Sequence, residues 1–385
     1  MKVAGRTTAI TPFYAMEVLK AANERAAQGN NVLHMEVGEP AGGAPAAVLQ
    51  AAKEALENGQ GLGYTEALGV PALRQAISDH YKTTGNLDVD PGHVVVTTGS
   101  SGGFLLAFLA AFDAGDRVAL ASPGYPAYRN IMAALGIEAV DLASDIGDRF
   151  QPTPALLDAA IEQGGKLAGL LIASPANPTG TMLDHDALKA LVDYCRARDI
   201  RIISDEVYHG ITYGAPAETI VALDDQAIAV NSFSKYFAMT GWRLGWMVLP
   251  DDLVRPIERL AQNLFISPPT LSQLAAVAAF DAEPELDAKV AAYARNREML
   301  LRELPKVGFD KLAPADGAFY IFADVRHLTN DSADFCKRML AETGVAATPG
   351  IDFDPNRGHA YIRFSFAGAY DDMVKAVACL KDWMK

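Results

Sequence analysis

Cysteine is scarce in this chain, three among 385 residues, and Cys195, Cys336 and Cys379 stand too far apart to make a C-x-x-C pair. That excludes a disulfide framework and a thiolate zinc cluster, and leaves the three thiols as small hydrophobes. The seven histidines show no H-E-x-x-H spacing, so no metal is expected. Runs of Lys and Arg are also missing, and nothing offsets a formal net charge of −14. Such a surface repels phosphate backbones, which argues against a nucleic-acid partner. The longest apolar run, Phe104 to Phe112, is too short to span a bilayer, and the opening MKVAGRTTAITPF lacks the apolar stretch of a signal peptide. A soluble, cytoplasmic protein with no membrane partner is expected. Neither low-complexity tracts nor repeats at periods of about 20 to 50 residues occur.

What is present is abundant core-forming material, 50% hydrophobic residues, enough for two or three domains. Helical and strand patterns alternate. Pro45 to Asn58, Val70 to Thr83 and Leu183 to Arg198 read as helices. His93–Thr97, Arg117–Ala121, Leu167–Ala173, Ile200–Ser204, Ala227–Asn231 and Leu244–Leu249 read as short apolar strands. Near-continuous apolar strands between helices predict an α/β fold, a mostly parallel sheet covered by helices on both faces. An alanine-rich helical stretch from about 268 to 304, interrupted near Pro284, precedes strands near 318–324 and 360–366 and helices at 332–342 and 370–384, a smaller second α/β domain.

In such sheets ligands gather at the carboxyl ends of the strands. After HVVVT comes TGSSGGF and a helical run, a nest of backbone N–H groups and hydroxyls suited to phosphate, though a plain turn reads the same way in isolation. It is neither G-x-G-x-x-G nor a Walker A motif, so neither a dinucleotide nor ATP is indicated. After LAGLLIA comes SPANPTG, with Asn177 between turn prolines. IRIIS delivers Asp205, an acid at the end of a buried strand, which is costly unless a cation or a turn N–H pairs with it. AIAVN then leads to SFSK and Lys235. An S-x-x-K acyl-enzyme built on Ser232 and Lys235 would also need S-D-N and K-T-G elements, and the chain has neither. One amine, one carboxylate, one amide and one phosphate-sized nest at a single sheet edge fit pyridoxal 5′-phosphate: the lysine forms the Schiff base, the acid keeps the pyridinium protonated and the nest takes the phosphate.

The motifs VGEP (37–40), GYTEALGVPALR (63–74), TGSS, PGYPAY (123–128), SPANPTG, SDEVY (204–208), SFSK with TGWRLGW, GAFYIF (317–322) and YIRFSFA (361–367) stand in one order along nearly the whole chain. In this the sequence resembles the class I/II pyridoxal-phosphate aminotransferases of the aspartate aminotransferase superfamily, fold type I. The resemblance implies a three-layer α/β/α large domain over 41–280, a small domain at 281–385, and an N-terminal arm at 1–40 that joins it. It also implies a homodimer with shared active sites, and amino acid and 2-oxo acid substrates. By the same resemblance Lys235 would carry the cofactor and move the proton, Asp205 would pair the ring nitrogen, and Asn177 and Tyr208 would bind the ring's phenolic oxygen. Tyr125 would stack on the ring. Gly99, Ser100, Ser101, Ser232 and Arg243 would hold the phosphate, joined by Tyr64 of the neighbouring subunit. Arg363 would grip the substrate α-carboxylate through a fork that lysine cannot reproduce, with Gly38 and Asn177 beside it. Two departures stand out. EPAGGAP replaces the family's GEPDF, and no motif supplies an arginine for a second substrate carboxylate, with Arg6, Arg129 and Arg357 the only suggestions. A carbon–sulfur β-lyase, or a non-catalytic regulator on the same fold, remain the alternatives.

Overall fold

A computed structural model describes residues 1–59 and 61–385 of the chain. At its centre lies a seven-stranded sheet in the spatial order Val94–Thr97, Gly245–Val248, Ile228–Ser232, Arg201–Asp205, Gly169–Ala173, Arg117–Ser122, Glu138–Ala143. The four strands 117–122, 138–143, 169–173 and 201–205 pair in parallel with one another and with 228–232, whereas 245–248 runs against both of its neighbours. Alternate residues of these strands feed two different cores. Val94, Val96, Ala119, Leu170, Ile172, Ile202, Ala229 and Trp246 enter one, and Val95, Val118, Leu120, Leu171, Ile203, Ile228, Val230 and Met247 enter the other. Both faces are therefore dry, which is why the strands read as unbroken apolar runs.

A four-stranded antiparallel sheet, ordered Thr348–Pro349, Tyr361–Ser365, Tyr320–Asp324, Lys311–Leu312, forms a second centre. Leu33–His34 pairs in parallel with Val345–Ala346, bringing the N-terminal segment to this region. Phe309, Phe319, Ile321, Ile362, Phe364 and Leu380 build its separate core.

The sequence pattern does not single out strand Glu138–Ala143, because it lies at the sheet edge and only Leu142 in it is buried. The long helical stretch also divides differently from the expectation. Helix Thr270–Ala276 gives way to a 3-10 turn at Val277–Asp281 before helix Glu283–Glu303 begins. Pro284 thus starts a helix, where its missing N–H costs nothing.

Candidate active site

Parallel register carries the ends of neighbouring strands to one edge. Ala173 lies opposite Asp205 and Asp205 opposite Val230, and the antiparallel strand 245–248 begins at this edge with Gly245 opposite Ser232. Helix Gly99–Ala111 begins at the same edge, where Gly99 holds φ +69° and a Cβ would approach Arg243 Nη2 to 2.5 Å. The glycine therefore allows both the turn and the close guanidinium. Ser100 and Ser101 occupy the first helical turn, whose N–H groups lack intrahelical partners. Ser232 Oγ accepts from Ser234 N at 3.0 Å, and Arg243 Nη1 donates to Thr240 O at 2.9 Å.

At the end of strand Arg201–Asp205 stands Asp205, 6% exposed. Burial pushes its carboxyl up to about 6, against the pull of the hydrogen bonds from Tyr128 and from Val207 N. The acid therefore does make the turn contact open to any strand-end aspartate, yet has no cationic partner at hydrogen-bond distance. A group that would attract a buried N–H⁺ is in place.

Lys235 is half-buried, with Nζ donating to Gly38 O at 2.6 Å. Burial first, then Arg363, pulls this amine down to about 8, while Glu39 and Asp205 oppose the shift. An amine so placed is neutral at mildly alkaline pH and can act as nucleophile or base. Glu39 itself is held by Thr240 Oγ1 at 2.5 Å.

Arg363 is 2% exposed. Its Nη1 donates to Asn177 Oδ1 at 2.9 Å, and its Nη2 to Glu36 O at 2.5 Å and Thr348 Oγ1 at 3.2 Å. Its Nε is buried without a partner, an orphaned donor that a carboxylate would satisfy. Tyr125 leads helix Pro126–Leu135, with Phe13 edge-on to its ring at 5.8 Å. Burial raises its phenol to about 12.

Lys235, Asp205, Tyr208, Asn177, Gly38, Tyr125, Arg243 and Arg363 thus converge, with Gly99, Ser100, Ser101 and Ser232 at one end. Tyr64 does not join them: it is 82% exposed, on the loop before helix Pro71–Gly85. Two of the three arginines suggested for a second carboxylate have partners of their own, although Arg129 Nη2 is buried without one. Arg129 bonds Asp141 and the carbonyls of Gly124 and Phe353, Arg357 bonds Asp354 and Ser122 O, and Arg6 sits in an exposed turn. Sequence reasoning missed Tyr128 and Tyr320, although each stands in a motif it used. Tyr128 lies one helical turn beyond Tyr125, and Tyr320 lies inside GAFYIF.

A half-buried amine, a buried acid without a cationic partner and a helix N-terminus meet at the carboxyl edge of an α/β sheet, an arrangement suited to an enzyme that works on carbonyl and amine groups. The particular family follows from comparison with known proteins. Residues 30–379 match the family described as aminotransferase class I and II. The chain is 51% identical over 379 residues to a valine–pyruvate aminotransferase of Mycobacterium tuberculosis, covering 97% of each. A crystal structure of an aminotransferase from that organism superposes with TM-score 0.96 at 50% identity, covering 100% of this chain and 99% of the other. The aspartate aminotransferase of Thermus thermophilus with maleate gives TM-score 0.93 at 29% identity, covering 99% of each chain. The chain belongs to the class I and II aminotransferases, a pyridoxal-phosphate-dependent family. It is an aminotransferase that interconverts an amino acid and a 2-oxo acid. Among the described residues no helix is long and apolar enough to cross a membrane.

Proposed function

We propose that pyridoxal 5′-phosphate binds at this edge, and the observation carrying the reading is that Asp205 and Lys235, neither bonded to a charged partner, stand at the strand ends where helix Gly99–Ala111 begins. Gly99, Ser100, Ser101, Ser232 and Arg243 would hold the phosphate, and Tyr125 the ring face. Asp205 would hold the ring nitrogen's proton, and Asn177 and Tyr208 the phenolic oxygen. Bound there, the cofactor supplies an electron-poor ring that accepts the electron pair left when the substrate Cα–H bond breaks. Lys235 would anchor the cofactor and, once free, take that proton from the α-carbon as the neutral amine its burial favours. Arg363 would orient the α-carboxylate, using the Nε that now lacks a partner.

The donor in this proposal has a neutral aliphatic side chain. Arg357 is held by Asp354 and Ser122 O, Arg129 gives its Nε to Asp141 and its Nη1 to backbone carbonyls, leaving only Nη2 without a partner, and the apolar Phe13 stands edge-on to Tyr125. The name of the Mycobacterium tuberculosis relative fits such a donor. Tyr64, exposed at 82%, would reach the phosphate of a second copy, so that a two-fold dimer shares its sites. The division into 1–40, 41–280 and 281–385 belongs to the same proposal, supported by the pairing of Leu33–His34 with Val345–Ala346.

A donor panel tests this reading. The holoenzyme is given valine, alanine, aspartate, phenylalanine and cysteine, each with pyruvate or 2-oxoglutarate and without an acceptor, and the cofactor spectrum and products are followed. Valine and alanine should convert the cofactor to its amine form with kcat/KM at least about tenfold above aspartate, the scale of one lost favourable contact. A preference for aspartate would overturn the neutral-donor assignment. Pyruvate and ammonia released from a cysteine-type donor, without conversion of the cofactor, would favour a β-lyase.

A further inference from the structure

Tyr320 has no part in the roles given above, yet it touches three of the groups that do. It is 1% exposed, and strand Tyr320–Asp324 pairs with Tyr361–Ser365 so that Phe322 faces Arg363. Tyr320, two residues before Phe322, therefore projects on the same side of the sheet as Arg363, as its diagonal neighbour. The guanidinium carbon of Arg363 lies 4.3 Å from the centroid of the Tyr320 ring and 4.8 Å from that of Phe353. Both distances fall within cation–π range. At the other end of the ring, Tyr320 Oη lies 2.7 Å from Tyr208 Oη. The hydroxyl is seated against Gly38, where a Cβ would overlap it, and the carbonyl of that same glycine accepts from Lys235.

We propose that Tyr320 is a positioning residue that joins the carboxylate grip of Arg363 to the cofactor-binding phenol of Tyr208, in parallel with the contact from Arg363 to Asn177. The inference rests on the cofactor reading above. Two parts of one side chain do separate things. The ring supports the guanidinium plane, holding the fork in the orientation a carboxylate needs. The hydroxyl fixes a direction: if Tyr208 gives its own O–H to the ring oxygen, it must accept from Tyr320. A phenol that accepts one hydrogen bond donates the next more strongly. Tyr320 thereby strengthens the bond from Tyr208 to the cofactor's oxygen, which favours the oxyanion with the lysine-linked nitrogen unprotonated. Gly38 is small because this hydroxyl occupies the space its side chain would need.

The test uses the cofactor-loaded protein without substrate, titrating its visible absorption with pH. The groups that bear on this titration are Asp205, Glu39, Arg243 and Arg363, which act on Lys235, and Tyr125, Tyr208 and Tyr320. Tyr320→Phe keeps the ring and removes the hydroxyl. It should raise the spectral midpoint by about 0.3 to 0.5 pH unit, a fraction of one charge-assisted hydrogen bond, while donor KM stays within about twofold of the parent. Tyr320→Leu, which removes the ring as well, should add a rise in KM of about tenfold, the scale of a buried cation–π contact. In a Tyr208→Phe background the midpoint shift from Tyr320→Phe should disappear, because the route runs through Tyr208. An unchanged midpoint in Tyr320→Phe, or an equal shift in both backgrounds, would overturn the proposal. A parent protein with no pH-dependent visible band would instead refute the cofactor reading on which it stands.

Discussion

The two ends of the central sheet treat charge in opposite ways. At the amino ends of the strands a groove of about 530 Å³ is lined by Arg117, Lys166, Arg196 and Arg201. Each of these cations faces a carboxylate: Glu138 at 3.1 Å, Asp199 at 3.5 Å, Asp224 at 2.9 Å and Asp252 at 2.7 Å respectively. At the carboxyl ends, Lys235, Arg243 and Arg363 donate instead to neutral oxygens, those of Gly38, Thr240, Asn177, Glu36 and Thr348. Asp205 there has hydrogen bonds from Tyr128 and Val207 but no cation. The groove at the amino ends is thus electrically closed, whereas the carboxyl ends hold charges without charged partners at hydrogen-bond distance. Uncompensated charge, and not the size of a groove, is the feature that singles out the carboxyl end as the candidate site.

The largest effect should come from the half-buried amine of Lys235. Lys235→Ala should lower turnover by at least about 10⁴-fold, the upper range for a positioned general base, while the phosphate nest still retains cofactor noncovalently. Borohydride trapping of cofactor on another lysine would refute the assignment. The same variant probes the shared site. When Lys235→Ala subunits exchange with Tyr64→Ala subunits, one site of each mixed dimer receives both lesions and the other neither. Activity should then recover above both parents, whereas sites confined to single chains would leave every site damaged.

Next comes the buried acid, with effects of opposite sign on activity and on stability. Asp205→Asn should reduce turnover by about 10² to 10³-fold, since an amide cannot hold the pyridinium proton; a loss under about tenfold would make the acid structural. Without cofactor the variant should be more stable than its parent. Burial raises the Asp205 carboxyl from 3.8 to about 6, so the folded state binds its proton more readily than the unfolded chain. Stability lost to this group is then absent below pH 3.8, grows between 3.8 and 6, and is fully present above. At pH 7.5 the asparagine should gain up to about 3 kcal/mol. Denaturant midpoints of both apoproteins, compared at pH 7.5 and pH 4, measure it. A gain that persists undiminished at pH 4 would point to packing instead of charge.

Much of the active edge was legible because its motifs are local. The nest after Thr97, the acid after Ser204 and the lysine after Ser234 each lie at or just beyond the end of an apolar strand, and strand register brings these ends together without further information. What could not be read is contact between segments distant in sequence. The bond from Tyr128 to Asp205 spans 77 positions and that between Tyr208 and Tyr320 spans 112, so neither leaves a periodic trace. The contacts of Arg129 and Arg357 were illegible in the sequence for the same reason. Their partners include Phe353 O, 224 positions from Arg129, and Ser122 O, 235 positions from Arg357. The edge strand Glu138–Ala143 escaped for a different cause, as a half-exposed strand carries neither the unbroken run nor the strict alternation that identifies buried ones.

The smallest effect belongs to the amino ends, and it is the one that most sharpens the contrast. Lys166 lies 3.5 Å from Asp199, with side chains 71% and 97% exposed. Water screens such a pair strongly, and ordering two long side chains offsets most of its attraction. Lys166→Ala should therefore change unfolding free energy by less than about 1 kcal/mol. It should leave kcat/KM for the preferred donor within about twofold of the parent, since no group of the proposed site depends on it. Removing one lysine from either end of the same sheet would then separate activities by about four orders of magnitude. If Lys166→Ala instead lowered kcat/KM tenfold or more with the fold intact, the groove would be coupled to the chemistry, and its paired charges could no longer be taken as a closed surface.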